Sequence, residues 1–175
     1  MENEVNVVYV SLGSNLGDRA GNLLLAVRGL TEASFIIHRL SAIYETEPVD
    51  VESHDDYLNM VAEIHVKNIS PSQMMARMLR IEYLLGRRRE IPKAPRTVDL
   101  DLLLYGNIEQ ETELVTLPHP RMHLRNFVLV PMVEIAPHIV HPTLDLTIQE
   151  LCENSPDTAK VKRWLPIERS FKMSP

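Results

Sequence analysis

The chain predicts an α/β (α+β) sandwich with a βαββαβ core, an antiparallel sheet and helices added C-terminally. Three observations carry this. Apolar runs at strand period alternate with two segments at helical period over the first 105 residues. Gly-, Pro- and Asn-containing turns separate them. At 175 residues and 45% hydrophobic, the chain makes one globular domain whose core needs neither disulfides nor structural metal.

The elements follow in order. Val5–Ser11 is β-rich and forms the first strand, and Leu12–Asp18 is a turn-rich loop. Leu23, Leu24, Ala26, Val27 and Leu30 give Arg19–Ala33 helical spacing. Phe35–Tyr44 is the second strand, Glu45–Asp56 an exposed acidic loop and Tyr57–Val66 the third strand. Ser70-Pro71 opens the second helix with an N-cap residue and a proline at the first helical position. Met74, Met75, Met78, Ile81, Leu84 and Leu85 line its apolar face, and Gly86 ends it. Val98–Tyr105 is the fourth strand, which completes the ferredoxin-like order. After Asn107 come a hairpin, a helix near Pro131–Ala136 and another near Thr147–Asn154. The domain takes in residues 1–175, with its core over about 5–164, and the tail after Trp164 is expected to be disordered.

Composition excludes several classes. The single cysteine, Cys152, rules out a disulfide framework and a Cys-based zinc site. Glu2, Glu4 and the short apolar run from Val5 to Leu12 fit neither a signal peptide nor a membrane span, so the expected compartment is the cytoplasm or an organelle matrix. A net charge of −6 and 5% aromatic residues argue against nucleic-acid binding, including by RNA-recognition modules of the same element order.

The chemistry concentrates in Pro95-Arg96-Thr97-Val98-Asp99-Leu100-Asp101-Leu102. On a strand, Asp99 and Asp101 point one way, while Leu100, Leu102 and Leu104 point into a core. Paired carboxylates repel and cost desolvation, which a divalent cation offsets, and hard oxygen ligands suit Mg²⁺. The competing reading is an edge strand with two solvated Asp. From Arg87 to Arg96 five of ten residues are basic: Arg87, Arg88, Arg89, Lys93 and Arg96. Such a loop beside a carboxylate pair suits a metal–polyphosphate site, and its competing reading is a solvated basic loop. Gly13 permits close backbone approach to a ligand. Tyr57 and Asn59 share a strand face and offer a ring beside an amide. His119, Arg121, His123, Arg125 and Phe127 crowd nine residues, with phosphate contacts from His119 and Arg125 preferred over a transition-metal pair of histidines.

These motifs, in this order, resemble the 6-hydroxymethyl-7,8-dihydropterin pyrophosphokinase family of folate biosynthesis. The resemblance runs from Val7 to Trp164 through Ser11-Leu12-Gly13-Ser14-Asn15, Tyr44-Glu45-Thr46-Glu47-Pro48, Asp56-Tyr57-Leu58-Asn59, Ile81-Glu82, Gly86-Arg87, the Asp99–Asp101 signature, Thr116-Leu117-Pro118-His119, Arg125-Asn126-Phe127 and Glu134-Ile135-Ala136-Pro137. It implies transfer of pyrophosphate from ATP to the pterin alcohol, releasing AMP, with two Mg²⁺ held by Asp99 and Asp101. By the same resemblance Arg96 and Arg87 are catalytic. Arg87, Arg88, Arg96, His119 and Arg125 meet the triphosphate, and Glu82, Leu102 and Thr116 place the nucleotide. The pterin stacks between Tyr57 and Phe127, with Gly13, Thr46, Pro48, Val49 and Asn59 around its polar edge. The partners are then small molecules, with no nucleic acid and no membrane, and the protein is expected to be a monomer. Loops at Asp50–Asp56 and Arg88–Ala94 would close over the nucleotide. The basic loop is one residue shorter than in the familiar form of the family, and Lys93 stands where that form has Trp. That form also has Arg where this chain has Pro92 or its neighbour, a contact that Arg88, Arg89 or Lys93 would take over, and Leu114 stands where Arg can occur and Glu47 where Pro is common. The alternative is a non-catalytic ferredoxin-like regulatory module that binds a small molecule.

Overall fold

Strand β1 (Val5–Ser14) runs through the middle of a six-stranded antiparallel sheet. The computed structural model describes residues 5–47, 56–86 and 97–166. Along the chain follow α1 (Arg19–Glu32), β2 (Ile36–Leu40), β3 (Tyr44–Thr46), β4 (Tyr57–Lys67), α2 (Pro71–Leu84) and β5 (Asp99–Tyr105). Then come a small β6–β7 hairpin (Gln110–Glu111 and Thr116–Leu117), a 3₁₀ turn (Met122–Leu124), α3 (Asn126–Ile135), α4 (Ile148–Glu153) and β8 (Val161–Arg163). The sheet order is β5-β1-β4-β3-β8, and β2 also pairs with β4. No helix among the described residues is long and apolar enough to cross a membrane.

Strand alternation divides the sheet's side chains between two cores. Val8, Val10 and Leu12 of β1 and Leu58, Met60, Ala62, Ile64 and Val66 of β4 pack under α1 and α2. Tyr9 and Val61 face the other way and pack with Leu129 and Met132 of α3 and Leu151 of α4. Each buried Leu, Ile or Met contributes about 1.5–3 kcal/mol from area removed from water. On α2, Ser70 accepts from Gln73 N–H at 3.2 Å while Gln73 Oε1 accepts from Ser70 N–H at 2.9 Å, a reciprocal cap. Gly86, at φ 85°, stands in the left-handed region just past its end.

Four expectations need correction. Strand one runs on to Ser14, because Gly13 is paired on both edges, with Asn59 and with Asp99. The second strand is two strands. Ser41 Oγ accepts from Val61 N–H at 2.9 Å and Ala42 N–H turns to Glu134 at 2.8 Å, so the backbone leaves the ladder there and re-enters at Tyr44. Leu104 lies in the α3-side core, because a bulge pairs Tyr9 with Leu104 but Val10 with Leu102, which reverses the alternation. Leu24 and Leu84 are exposed, each about one helical step off the buried stripe of its helix.

Helix α3 carries its own site residues into position through a distant cap. Its N-cap residue Arg125 makes no side-chain cap bond. Asp157 supplies one instead, accepting from Asn126 N–H at 2.7 Å, while its carbonyl accepts from Asn126 Nδ2 at 2.7 Å. At the other end Arg39 Nη1 donates to the Ile135 carbonyl at 2.9 Å, a cation on the negative end of the helix. Asp157→Ala should therefore cost about 0.5–2 kcal/mol, the usual range for a lost cap. Urea titration of both proteins checks it, and an unchanged midpoint would show that the cap contributes nothing.

Candidate active site

The site begins with a row of residues across three strands. Opposite residues in an antiparallel pair point the same way, so Asp99 of β5, Gly13 of β1 and Asn59 of β4 share one face. One step along, Asp101 lies opposite Ser11. Asp99 and Asp101 are half-buried on an edge strand, not on a solvated face. Gly13 keeps the gap between carboxylate and amide open. A Cβ there would stand 3.0 Å from Asn59 Oδ1 and 3.9 Å from Asp99 Cβ. Asn59 is 3% exposed, and its Nδ2 donates to Thr46 Oγ1 at 2.7 Å, which fixes Oδ1 toward Gly13. Two carboxylates beside a side-chain-free floor and a buried hydroxyl form an oxygen-rich set that fits a hard divalent cation.

The row is braced from several sides. Glu82 of α2 is buried, and its Oε1 accepts from the Leu100 N–H at 2.8 Å, between the two Asp residues. Arg19 Nη1 reaches the Asp56 carbonyl at 2.5 Å and Glu45 Oε1 at 3.0 Å, tying the end of β3 to the start of β4. On α3, Glu134 accepts from Tyr44 Oη at 3.0 Å as well as from Ala42 N–H, so β3 is held against the helix.

His119, Arg125 and Phe127 enter from the segment after β7. His119 N–H donates to the Leu103 carbonyl at 2.9 Å, which pins the histidine to β5. Its Nδ1 accepts from Arg121 N–H at 3.2 Å, so the neutral ring carries its proton on Nε2 and offers a donor. Burial, then the Arg125 and Arg121 charges, lower its pKa to about 4, and Asp99 pulls weakly the other way. The sign follows from the unfolded value near 6.5. Between that pH and about 4 the unfolded chain takes up a proton that the folded chain refuses, so stability falls as pH falls through this window. His119→Gln should flatten that slope in a urea series from neutral to acid pH. An identical slope in both proteins would remove His119 as its source. Arg125 lies over the Phe127 ring, its guanidinium carbon 5.4 Å from the centroid, and Phe127 packs against the α3-side core.

The described site residues thus divide into groups. Gly13, Asn59, Thr46, Asp99 and Asp101 stand on adjoining strands, with Tyr57 opposite Thr46. Thr116 lies on β7, half-buried. Leu102 is 1% exposed among the α1–α2 core residues, so its side chain does not line the site. Arg87, Arg88, Arg89, Lys93, Arg96, Pro48 and Val49 lie outside the described residues, as do the two loops expected to close, apart from Asp56 at the end of the first. Sequence reasoning gave no role to Ser11 or Glu134. Strand parity with Gly13 would have found Ser11, while the contact of Glu134 with β3 spans 90 residues and leaves no local signal.

Comparison with known proteins decides between an enzyme and a binding module. Residues 9–137 match the family model for 7,8-dihydro-6-hydroxymethylpterin-pyrophosphokinase. The chain belongs to this family. A 2-amino-4-hydroxy-6-hydroxymethyldihydropteridine pyrophosphokinase from Bacillus subtilis is 43% identical over 77% of this chain and 80% of its own. One from Haemophilus influenzae is 37% identical over 88% and 96%. The fold matches wild-type Plasmodium falciparum HPPK-DHPS with a TM-score of 0.69 and 15% identity, over 87% of this chain and 44% of that longer one. Membership makes the chain a pyrophosphokinase, a diphosphotransferase of folate synthesis. The matched segment holds every site residue named above.

Proposed function

We propose that the protein transfers the terminal pyrophosphoryl group of ATP to the hydroxymethyl oxygen of 6-hydroxymethyl-7,8-dihydropterin, with two Mg²⁺ held by Asp99 and Asp101. The observation that carries this reading is the pairing of Asp99 and Asp101 with Gly13 and Ser11 on one sheet face, with His119 tied to the same strand. The alcohol oxygen attacks the β-phosphorus, the bond to the bridging oxygen on the α-phosphorus breaks, and AMP leaves with that electron pair. The alcohol proton goes to solvent. When bound, the ions supply positive charge that offsets the polyphosphate and makes the alcohol a better nucleophile.

The chain's own groups bind and orient. His119 Nε2–H and the Arg125 guanidinium are donors for phosphate oxygens, joined by Arg87, Arg88 and Arg96. Glu82, Thr116 and the backbone at Leu102 place the nucleotide. Asn59, oriented by Thr46, reads the heterocycle edge, and Gly13 lets the ring come close to the backbone. Tyr57 and Phe127 stack on its faces, with Pro48 and Val49 at its rim. The protein acts as a cytoplasmic monomer on small molecules, without nucleic acid or membrane.

Nucleotide product analysis tests the reading. Protein, ATP, Mg²⁺ and the reduced pterin should give AMP that depends on the pterin and disappears with chelator. ADP would mean transfer of a single phosphoryl group. No turnover by folded protein would leave a binding module, and either result sinks the proposal.

A further inference from the structure

Two residues beyond Ser11 and Val61 on the same sheet face, a second cluster is built around Glu63. Glu63 is 6% exposed. Its Oε2 accepts from Tyr9 Oη at 3.2 Å. Its Oε1 lies 3.2 Å from His65 Nε2 and 3.9 Å from His38 Nε2. The two imidazoles are stacked, with centroids 4.4 Å apart and planes at 15°. His38 reaches this face through a bulge. The β2–β4 register shifts between Ile37 and Arg39, which leaves His38 as the extra residue.

Strand packing alone gives no reason to bury a carboxylate beside two stacked imidazoles. A divalent ion gives one. The potential donor atoms of His38, Glu63 and His65 all lie within 4.8 Å of one another. Metal–ligand bonds of about 2.0–2.2 Å at tetrahedral angles put donors about 3.3–3.6 Å apart. The observed 3.2 and 3.9 Å bracket that separation, and the His38 side chain, 49% exposed, has room to close the longer one. Burial and the Glu63 charge push the Tyr9 phenol above the ordinary tyrosine range, so it remains a proton donor that orients the carboxylate. Arg39 Nε stands 4.0 Å from Oε2 and compensates the charge from the other side.

We propose that His38, Glu63 and His65 form a site for a zinc-class divalent cation, separate from the Asp99–Asp101 centre. Two imidazoles and one carboxylate suit Zn²⁺ or Co²⁺ and are a poor set for Mg²⁺, which prefers an all-oxygen octahedron. Bound there, the ion clips β2 to β4, its sheet neighbour. Both imidazoles must be neutral to bind it, so the ion competes with protons for them.

The test uses the full chain, stripped with chelator and held in millimolar Mg²⁺. Equilibrium dialysis with Zn²⁺ measures affinity, and Co²⁺ absorption reports coordination by nitrogen. One equivalent should bind at micromolar metal in the parent and equally in Asp101→Ala. His38→Ala and Glu63→Gln should weaken it by at least tenfold, with unchanged circular dichroism. The Co²⁺ absorption should weaken with them. Binding that survives both variants puts the ion elsewhere and overturns the proposal. Loss of binding in Asp101→Ala, or no uptake at micromolar metal, overturns it as well.

Discussion

Asp101→Ala is expected to lower the rate of pyrophosphoryl transfer by about 10³-fold or more while the protein stays folded. The magnitude follows from the several kcal/mol that metal-borne charge supplies to phosphoryl chemistry, at 1.36 kcal/mol per tenfold. The fold should survive because Asp101 is half-buried on the site face, opposite Ser11, and takes no part in either apolar core. Removing it also relieves repulsion with Asp99 two residues away on the same face. Asp101→Asn separates charge from shape. It keeps the volume and loses the anion, so it should be nearly as inactive as the alanine variant. Steady-state kinetics at saturating Mg²⁺, with thermal unfolding alongside, decide the matter. Activity within a few-fold of the parent would end the assignment of the metal pair. A matching loss of stability would make the residue structural.

How much of this was legible in the sequence varies with the physics of each feature. The period-2 rule put Asp99 and Asp101 on one face, and register across β1 then added Gly13 and Ser11. The N-terminal cap of α2 was legible because Ser70 and Pro71 act within one turn. What stayed hidden is non-local. Leu102, Leu103 and Leu104 are chemically alike, so nothing in them marks the bulge that sends Leu104 to the opposite core. Gly13 reads as a turn residue, and only its pairing with Asn59 on one edge and Asp99 on the other keeps it in a strand. The break at Ser41 depends on a side-chain bond to Val61, 20 residues on, and the cap of α3 on Asp157, 31 residues on. The His38 cluster needs a bulge and three strands to assemble, so no spacing in the chain announces it.

Phe127→Ala should weaken pterin binding by about 5- to 150-fold, the range for loss of one stacking face at ~1–3 kcal/mol. Nucleotide binding should change much less. The asymmetry is not trivial, because Phe127 also supports Arg125, whose guanidinium rests over the ring. Loss of that platform costs a cation–π contact of about 0.5–1 kcal/mol, which sets the expected few-fold loss for ATP. Phe127→Tyr keeps the ring and should restore both affinities. Arg125→Ala runs the other way, costing the nucleotide more than the pterin, because it removes the proposed phosphate donor and leaves the ring in place. Calorimetry with the pterin and a nonhydrolysable ATP analogue, each titrated separately, measures both affinities in all the variants. Equal losses for both ligands in Phe127→Ala would show that the residue supports the start of α3 as a whole, and the stacking role would fall.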